Sequence, residues 1–258
     1  MALEPINNYD LTPFGLVDEY AKSWQKVNDL KAFLFHRNDI ECILDEKQAV
    51  AVRFYMGIKE DGDTKCPDMI VVGVNESNRD IISLLPKDSG IGPENEIRTG
   101  IYDFTMPCPR TCDTSSYLYS NTGPGIIGTE NCAPRDGDRT PSTDDKCNIE
   151  GFQITVADAR TSTLAWQTLF NLKSVLFKKE DLVEIYKQLG TDDIRVYFGL
   201  DEEGNERIIL VGVNEEGFDI FPEDADGKIE EMYVNSTSLC TKNSITTCAV
   251  DSPLYHEE

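Results

Sequence analysis

Val52-Arg53-Phe54-Tyr55-Met56-Gly57-Ile58 and Ile194-Arg195-Val196-Tyr197-Phe198-Gly199-Leu200 carry one pattern twice. In each, apolar residues alternate with an Arg-x-Tyr-x-Gly series. This period of two marks a β-strand with one face toward a core. A second apolar run follows each: Ile70, Val72 and Val74 in the first, Ile209, Val211 and Val213 in the second. Asp201-Glu-Glu-Gly-Asn-Glu206 reads as the turn of the second hairpin. An even-length turn keeps the apolar faces together. It predicts Phe198 opposite Ile209, Val196 opposite Val211, and Arg195 opposite Gly212 on an outer face.

Working outward, the likeness extends well beyond the hairpin. Residues 21–62 match 163–204 at a constant offset of 142, with 13 identities in 42 positions. Chance would give roughly two or three at average residue usage. They include Trp24/Trp166, Gln25/Gln167, Phe35/Phe177, Asp39/Asp181, Ile43/Ile185 and Gly62/Gly204. A second block, 70–82, matches 209–221 at offset 139 and contains Val-Gly-Val-Asn-Glu in both copies. Each copy ends in a cysteine pair followed by Ser-x-Leu-Tyr: Cys108, Cys112, Ser116, Leu118, Tyr119, and Cys240, Cys248, Ser252, Leu254, Tyr255.

Upstream of the hairpin, Thr12-Pro13 and Thr155 read as helix starts. Val17, Tyr20, Ala21, Trp24 and Val27 follow at helical spacing, as do Ala159, Thr163, Trp166 and Leu169, which predicts tryptophans in the core. Phe35, Ile40, Ile43 and Leu44, with Phe177, Leu182, Ile185 and Tyr186, predict a second helix, stopped in the second copy by Gly190. His36 aligns with Lys178 and reads as solvated. Short strands are expected at Asp80-Ile81 and Asp219-Ile220, and further ones near Ile101-Phe104 and Met232-Tyr233. The fold class is therefore α+β: two tandem copies of a helix-helix-antiparallel sheet unit related by internal duplication. Units at 12–119 and 154–258 are joined by a polar linker or long loop at 120–153.

The Arg-Phe-Tyr-Met-Gly strand, the Val-Val-Gly-Val-Asn strand and the Tyr-Asp-Phe…Cys-Pro…Cys…Ser-x-Leu ending resemble a group of Bacteroidetes-type proteins. That group has a duplicated α+β unit and a Cys-Pro-x-x-Cys tail, and no established activity. The resemblance implies no catalytic residues. The second copy departs from it, because no proline follows Cys240 and seven residues separate its cysteines.

Composition narrows the function. The 258 residues carry a net charge of -23. Such a surface repels phosphate backbones and anionic bilayers, so nucleic-acid and membrane binding are not expected. Nothing at the start of the sequence reads as a secretory signal, which leads to a cytoplasmic expectation. In that compartment Cys108, Cys112, Cys240 and Cys248 are candidate paired thiols, with disulfides and a metal site as alternatives. Asp224-Ala-Asp226-Gly227 fails an EF-hand at both ends, with Pro222 at the first ligand position and Tyr233 at the twelfth. The chain contains no P-loop, dinucleotide fingerprint, nucleophile elbow or zinc-protease helix. No catalytic residue and no cofactor is implied.

What recurs between the copies is a core pattern and one outer strand face, and no polar constellation is seen to repeat. That favours a non-enzymatic structural or interaction protein with a protein partner or self-association. A thiol- or metal-dependent module and an enzyme of unrecognised class are the alternatives. The candidate interaction face is Arg53, Tyr55, Gly57 and Gly73, with Arg195, Tyr197, Gly199 and Gly212. Arg and Tyr suit interface centres, and strand glycines admit a close backbone.

Overall fold

The computed structural model describes residues 3–4, 6, 9–46, 49–61, 64–83, 99–103, 106–107, 114–119, 152–191, 193–223, 226–235, 239–241 and 248–255. The chain is α+β, with helices α1 (Phe14–Gln25), α2 (Arg37–Glu46), α3 (Val156–Gln167) and α4 (Lys179–Leu189). The strands before the linker are β1 (Asp10–Pro13), β2 (Ala32–His36), β3 (Ala51–Asp61), β4 (Thr64–Val74), β5 (Ile101–Tyr102) and β6 (Met106–Pro107). Those after it are β7 (Leu172–Lys178), β8 (Asp193–Leu200), β9 (Glu206–Val213), β10 (Asp219–Ile220), β11 (Glu231–Asn235) and β12 (Leu239–Thr241).

The strands form two sheets. One runs β1-β11-β9-β8-β2-β6, with β10 also on β9; the other runs β12-β7-β3-β4-β5. All described pairings are antiparallel. Both sheets take strands from both sides of the linker. β2 pairs with β8, and β7 pairs with β3. The boundary at 120–153 thus separates stretches of sequence, not separate sheets. Residues 120–151 themselves lie outside the described residues.

The two sheets face each other. Val52, Phe54 and Met56 of β3 share one core with Ile194, Val196 and Phe198 of β8, together with Ile40, Ile43, Leu182, Ile185 and both tryptophans. Phe35 of one sheet meets Phe54 of the other at 4.5 Å, edge to face, an arrangement worth about 0.5–1.5 kcal/mol beyond its buried area. Helices cover the outer faces. Val17 and Ala21 of α1 pack on Tyr197, Ile209 and Val211. Ala159 of α3 packs on Tyr55, Ile70 and Val72. The order of layers is helix, sheet, sheet, helix.

This layering corrects the expected register. Phe198 lies opposite Ile208, Val196 opposite Leu210, and Arg195 opposite Val211. Ile209 and Val211 therefore point outward, beneath α1, with Val213 on the same face, and Ile208 and Leu210 point inward. The same holds for the first hairpin, where Phe54 faces Val71 and Arg53 faces Val72. The turn has an odd count. Asp201 N–H donates to the Asn205 carbonyl at 3.0 Å, which closes a three-residue loop with Gly204 at φ +79. That loop type needs a left-handed residue at its end, and glycine supplies it without strain.

The second predicted helix in each copy begins later than expected. Phe35 and Phe177 lie on strands β2 and β7, and α2 and α4 start at Arg37 and Lys179. Thr155 caps α3, its Oγ1 accepting the Asp158 N–H at 3.1 Å. Thr12 and Pro13 instead belong to β1, and α1 has no side-chain cap. Gly190 ends α4 in the left-handed conformation at φ 65. Trp24 and Trp166 are buried, as expected, and donate their indole N–H to the carbonyls of Leu30 (2.6 Å) and Leu172 (2.7 Å).

Candidate functional site

The face proposed from sequence is not solvent-facing. Arg53 and Arg195 are 0% and 1% exposed, and Tyr55 and Tyr197 are fully buried. The cause lies in the helix layer. A Cβ added at Gly57 would collide with Ser162 of α3. One added at Gly199 would sit 2.9 Å from Tyr20 of α1. Gly212, paired with Ile194 and not with Arg195, lies on the inner face instead, where an added Cβ would meet Thr191, just past α4, at 2.6 Å. The glycines admit a close approach, but the approaching element is a helix or helix end of this same chain. Gly73 likewise lies on the inner face, opposite Val52, so neither Gly73 nor Gly212 shares a face with the arginines.

Beneath each helix a polar group does repeat, and the sequence reading missed it. Arg53 Nη1 donates to Asp80 Oδ1, and Tyr55 OH donates to Asp80 Oδ2 at 2.6 Å. Arg195 Nη1 donates to Asp219 Oδ1, and Tyr197 OH donates to Asp219 Oδ2 at 2.6 Å. The Asp80 and Asp219 carboxylates are 2% and 0% exposed. Burial first, then the Asp80 charge, pushes the Tyr55 phenol far above its ordinary value. A carboxylate satisfied by one guanidinium and one phenol is a charge kept neutral as a group, which low-dielectric surroundings demand.

The Val-Gly-Val-Asn-Glu repeat delivers those acids. Asn75 Oδ1 accepts the N–H groups of Ser77 (2.9 Å) and Arg79 (3.1 Å), and Asn214 Oδ1 accepts that of Phe218 (2.9 Å). Asn78 at φ 59 and Gly217 at φ 87 occupy the left-handed position of each turn. The chain reverses and lays Asp80 and Asp219 under their arginines. Arg53 Nη2 also donates to Asn78 Oδ1 at 2.6 Å, and Arg195 Nη2 to the Gly217 carbonyl at 2.9 Å. The available signal was an acid recurring at the same offset as the Val-Asn-Glu block.

The Ser-x-Leu-Tyr endings are likewise structural. Gln25 and Gln167 donate to the carbonyls of Leu118 (2.7 Å) and Leu254 (3.1 Å). Lys31 lies 5.1 Å from the Tyr119 ring centre, and Lys173 4.5 Å from that of Tyr255. Burial lowers the Lys31 ammonium from its ordinary value, with Asp29 acting against it. Leu254 packs with Tyr55 in the cluster beneath α3, so the C-terminal ending lies against the residues around Arg53.

Cys240 and Cys248 are joined to each other. Cys42 and Cys66 are also in disulfides. Among the described residues no cysteine is a free thiol, which corrects the thiol reading for this pair. Cys108 and Cys112 lie outside the described residues. No group of three metal-ligating side chains gathers among the described residues. His36, expected in solvent, is largely buried, its Nδ1 2.9 Å from Asp193 Oδ2. Among the described residues no helix is long and apolar enough to cross a membrane.

A surface concavity lies between α2 and α4. It has a volume of about 250 Å³. Ile40, Leu44, Leu182, Val183 and Tyr186 supply its apolar lining, and Glu41, Asp45 and Lys179 its polar one. Lys179 Nζ donates to Asp45 at 2.9 Å across the two helices. No family model, no curated protein and no solved structure matches the chain.

Proposed function

We propose that the chain is a non-enzymatic interaction protein that docks a partner segment in the groove between α2 and α4. The observation that carries this reading is the groove itself: an apolar floor of Ile40, Leu44 and Leu182, with Val183 left 49% exposed beside acidic Glu41 and Asp45. Exposed valine in a concave, acid-rimmed site suits a partner that presents apolar and basic side chains together. The net charge of -23 would steer such a partner in. The Arg-Tyr-Gly face has a different role in this reading. It holds helix to sheet and leaves the docking to α2 and α4.

The repeated Trp, Gln, Lys, Arg, Tyr and Asp contacts support an origin by duplication of a unit that first paired with a second copy of itself. Strand pairing across the linker is what an intertwined homodimer fused into one chain would keep. The disulfide at Cys240–Cys248 and those of Cys42 and Cys66 favour an oxidising compartment over the cytoplasm.

A fluorescent amphipathic peptide of alternating leucine and arginine faces tests the docking surface by anisotropy, with a leucine–glutamate peptide as control. The basic peptide should bind, and the acidic one should not. Val183→Asp should weaken binding about tenfold through lost apolar contact. Equal affinity in wild type and Val183→Asp would remove the groove as the docking site.

A further inference from the structure

At one corner, corresponding positions beneath α1 and beneath α3 carry side chains of different kinds. Phe14 opens α1, and Val156 opens α3 at the matching position. Phe221 matches Ile82, and Tyr117, inside the Ser-x-Leu-Tyr ending, matches Pro253. In one half these three positions bring three aromatic rings together. Phe14 and Tyr117 have centres 6.0 Å apart, Phe14 and Phe221 6.0 Å, and Tyr117 and Phe221 5.3 Å. Their planes cross at 81°, 76° and 72°. Beneath α3 the matching positions are Val156, Pro253 and Ile82, with Val156 and Ile82 packed on the cluster there, so the fold does not demand aromatics.

Core cover does not account for the trio either. Phe14 and Phe221 are half-buried and anchored on the cluster beneath α1. Tyr117 is 62% exposed. A ring that open adds little to folding, yet it stands against two anchored rings. Three rings spaced by about 6 Å and set near right angles can bound a corner about 4 Å from each centre, within the reach over which an aromatic face attracts a cation. The Phe14 N–H donates to the Glu230 carbonyl at 2.9 Å, which ties the start of α1 to the backbone that follows Phe221. The segment from Phe221 to Glu230 carries four acids and one lysine.

We infer that Phe14, Tyr117 and Phe221 form a binding site for a methylated ammonium group. The positive end of the ligand meets the negative faces of the rings, and its methyl groups fill the corner without needing hydrogen-bond partners. That combination selects a quaternary ammonium over a primary one, whose N–H groups would go unsatisfied against three ring faces. Two sources present this chemistry: a free choline-like molecule and a trimethylated lysine side chain. The site is separate from the α2–α4 groove and does not rest on it.

The test is an NMR titration of the intact protein with choline and, in parallel, with its neutral isostere 3,3-dimethyl-1-butanol. Choline should bind saturably, and the isostere about tenfold more weakly, because loss of charge removes the attraction to all three rings. Tyr117→Ala should weaken choline binding two- to fivefold, and Tyr117→Phe should restore it. The exposure of Tyr117 keeps both variants folded, which a thermal melt verifies. A third arm uses a trimethyllysine peptide beside its unmethylated form. Tighter binding of the peptide than of choline identifies a protein-borne ligand, the reverse identifies a small molecule, and either order supports the site. Equal affinity for choline and the isostere, no saturation, or unchanged binding in Tyr117→Ala overturns it.

Discussion

Replacing Arg53 by methionine separates a buried anchor from an exposed decoration. In the wild type its guanidinium donates to Asp80 Oδ1 and to Asn78 Oδ1, and the second Asp80 oxygen takes the Tyr55 hydroxyl at 2.6 Å. Methionine fills a similar volume but leaves a carboxylate that is 2% exposed with a single phenol partner. Breaking a buried pair by removing one member costs about 3–5 kcal/mol. An exposed pair costs under about 1 kcal/mol. Urea denaturation followed by fluorescence of the two buried tryptophans reads the difference, at unchanged m-value. Arg195→Met should give a loss of the same size, since its carboxylate is equally buried. The triple variant Arg53→Met, Asp80→Leu, Tyr55→Phe removes every polar member at once and should recover most of the loss, because apolar replacement of a whole buried pair is often near neutral. A loss below 1 kcal/mol in Arg53→Met, or a triple variant worse than the single, would refute the account of a satisfied buried charge group.

Two further outcomes follow from the same geometry. A protease site placed within the 120–151 stretch should give a nicked protein that stays assembled on size exclusion under reducing, non-denaturing conditions, because β2 pairs with β8 and β7 with β3 across the cut; separation into two folded halves would contradict that pairing. Alkali should unfold the chain cooperatively. Burial is the first cause holding the phenols of Tyr9, Tyr55, Tyr186 and Tyr233 well above their ordinary value. In the unfolded chain they deprotonate near pH 10. Their contribution is thus complete below about pH 10 and is lost as pH rises toward the folded values. Absorbance at 295 nm should show a phase from these four that coincides with loss of circular dichroism; ionisation complete near pH 10 with the dichroism intact would contradict the burial.

The helices at Trp24 and Trp166 and the paired strands were legible because each carries a period that survives whatever packs against it. The register was not, and the reason is physical. Ile208-Ile209-Leu210-Val211 is apolar without interruption, the signature of a strand covered on both faces. Reading Ile209, Val211 and Val213 as the inward set imposed a one-sided sheet on a run that has no polar side. Asp201-Glu-Glu-Gly-Asn205 held the deciding information, since glycine at the fourth place of such a turn closes three residues between paired ends and makes the count odd. Strands β2 and β7 were missed for a related reason. Phe35 and Phe177 fall in phase with the helices that follow, and two residues of chance agreement hid a change of element.

The same misjudged face explains why the candidate site moved. Arginine and tyrosine on a strand are read as surface because arginine is seldom buried without a partner. The inference fails once a partner is supplied from 27 residues away in one copy and 24 in the other. That partner arrives only through a turn whose asparagine and left-handed residue have no apolar period to reveal them. Polar residues that recur in both halves, Gln25 and Gln167, Lys31 and Lys173, Arg53 and Arg195, all end in contacts that hold this chain to itself. Recurrence here therefore marks what both halves need in order to fold. A function performed once has to be sought where the halves differ, and the rings of Phe14, Tyr117 and Phe221 beneath α1, matched by Val156, Pro253 and Ile82 beneath α3, are such a place.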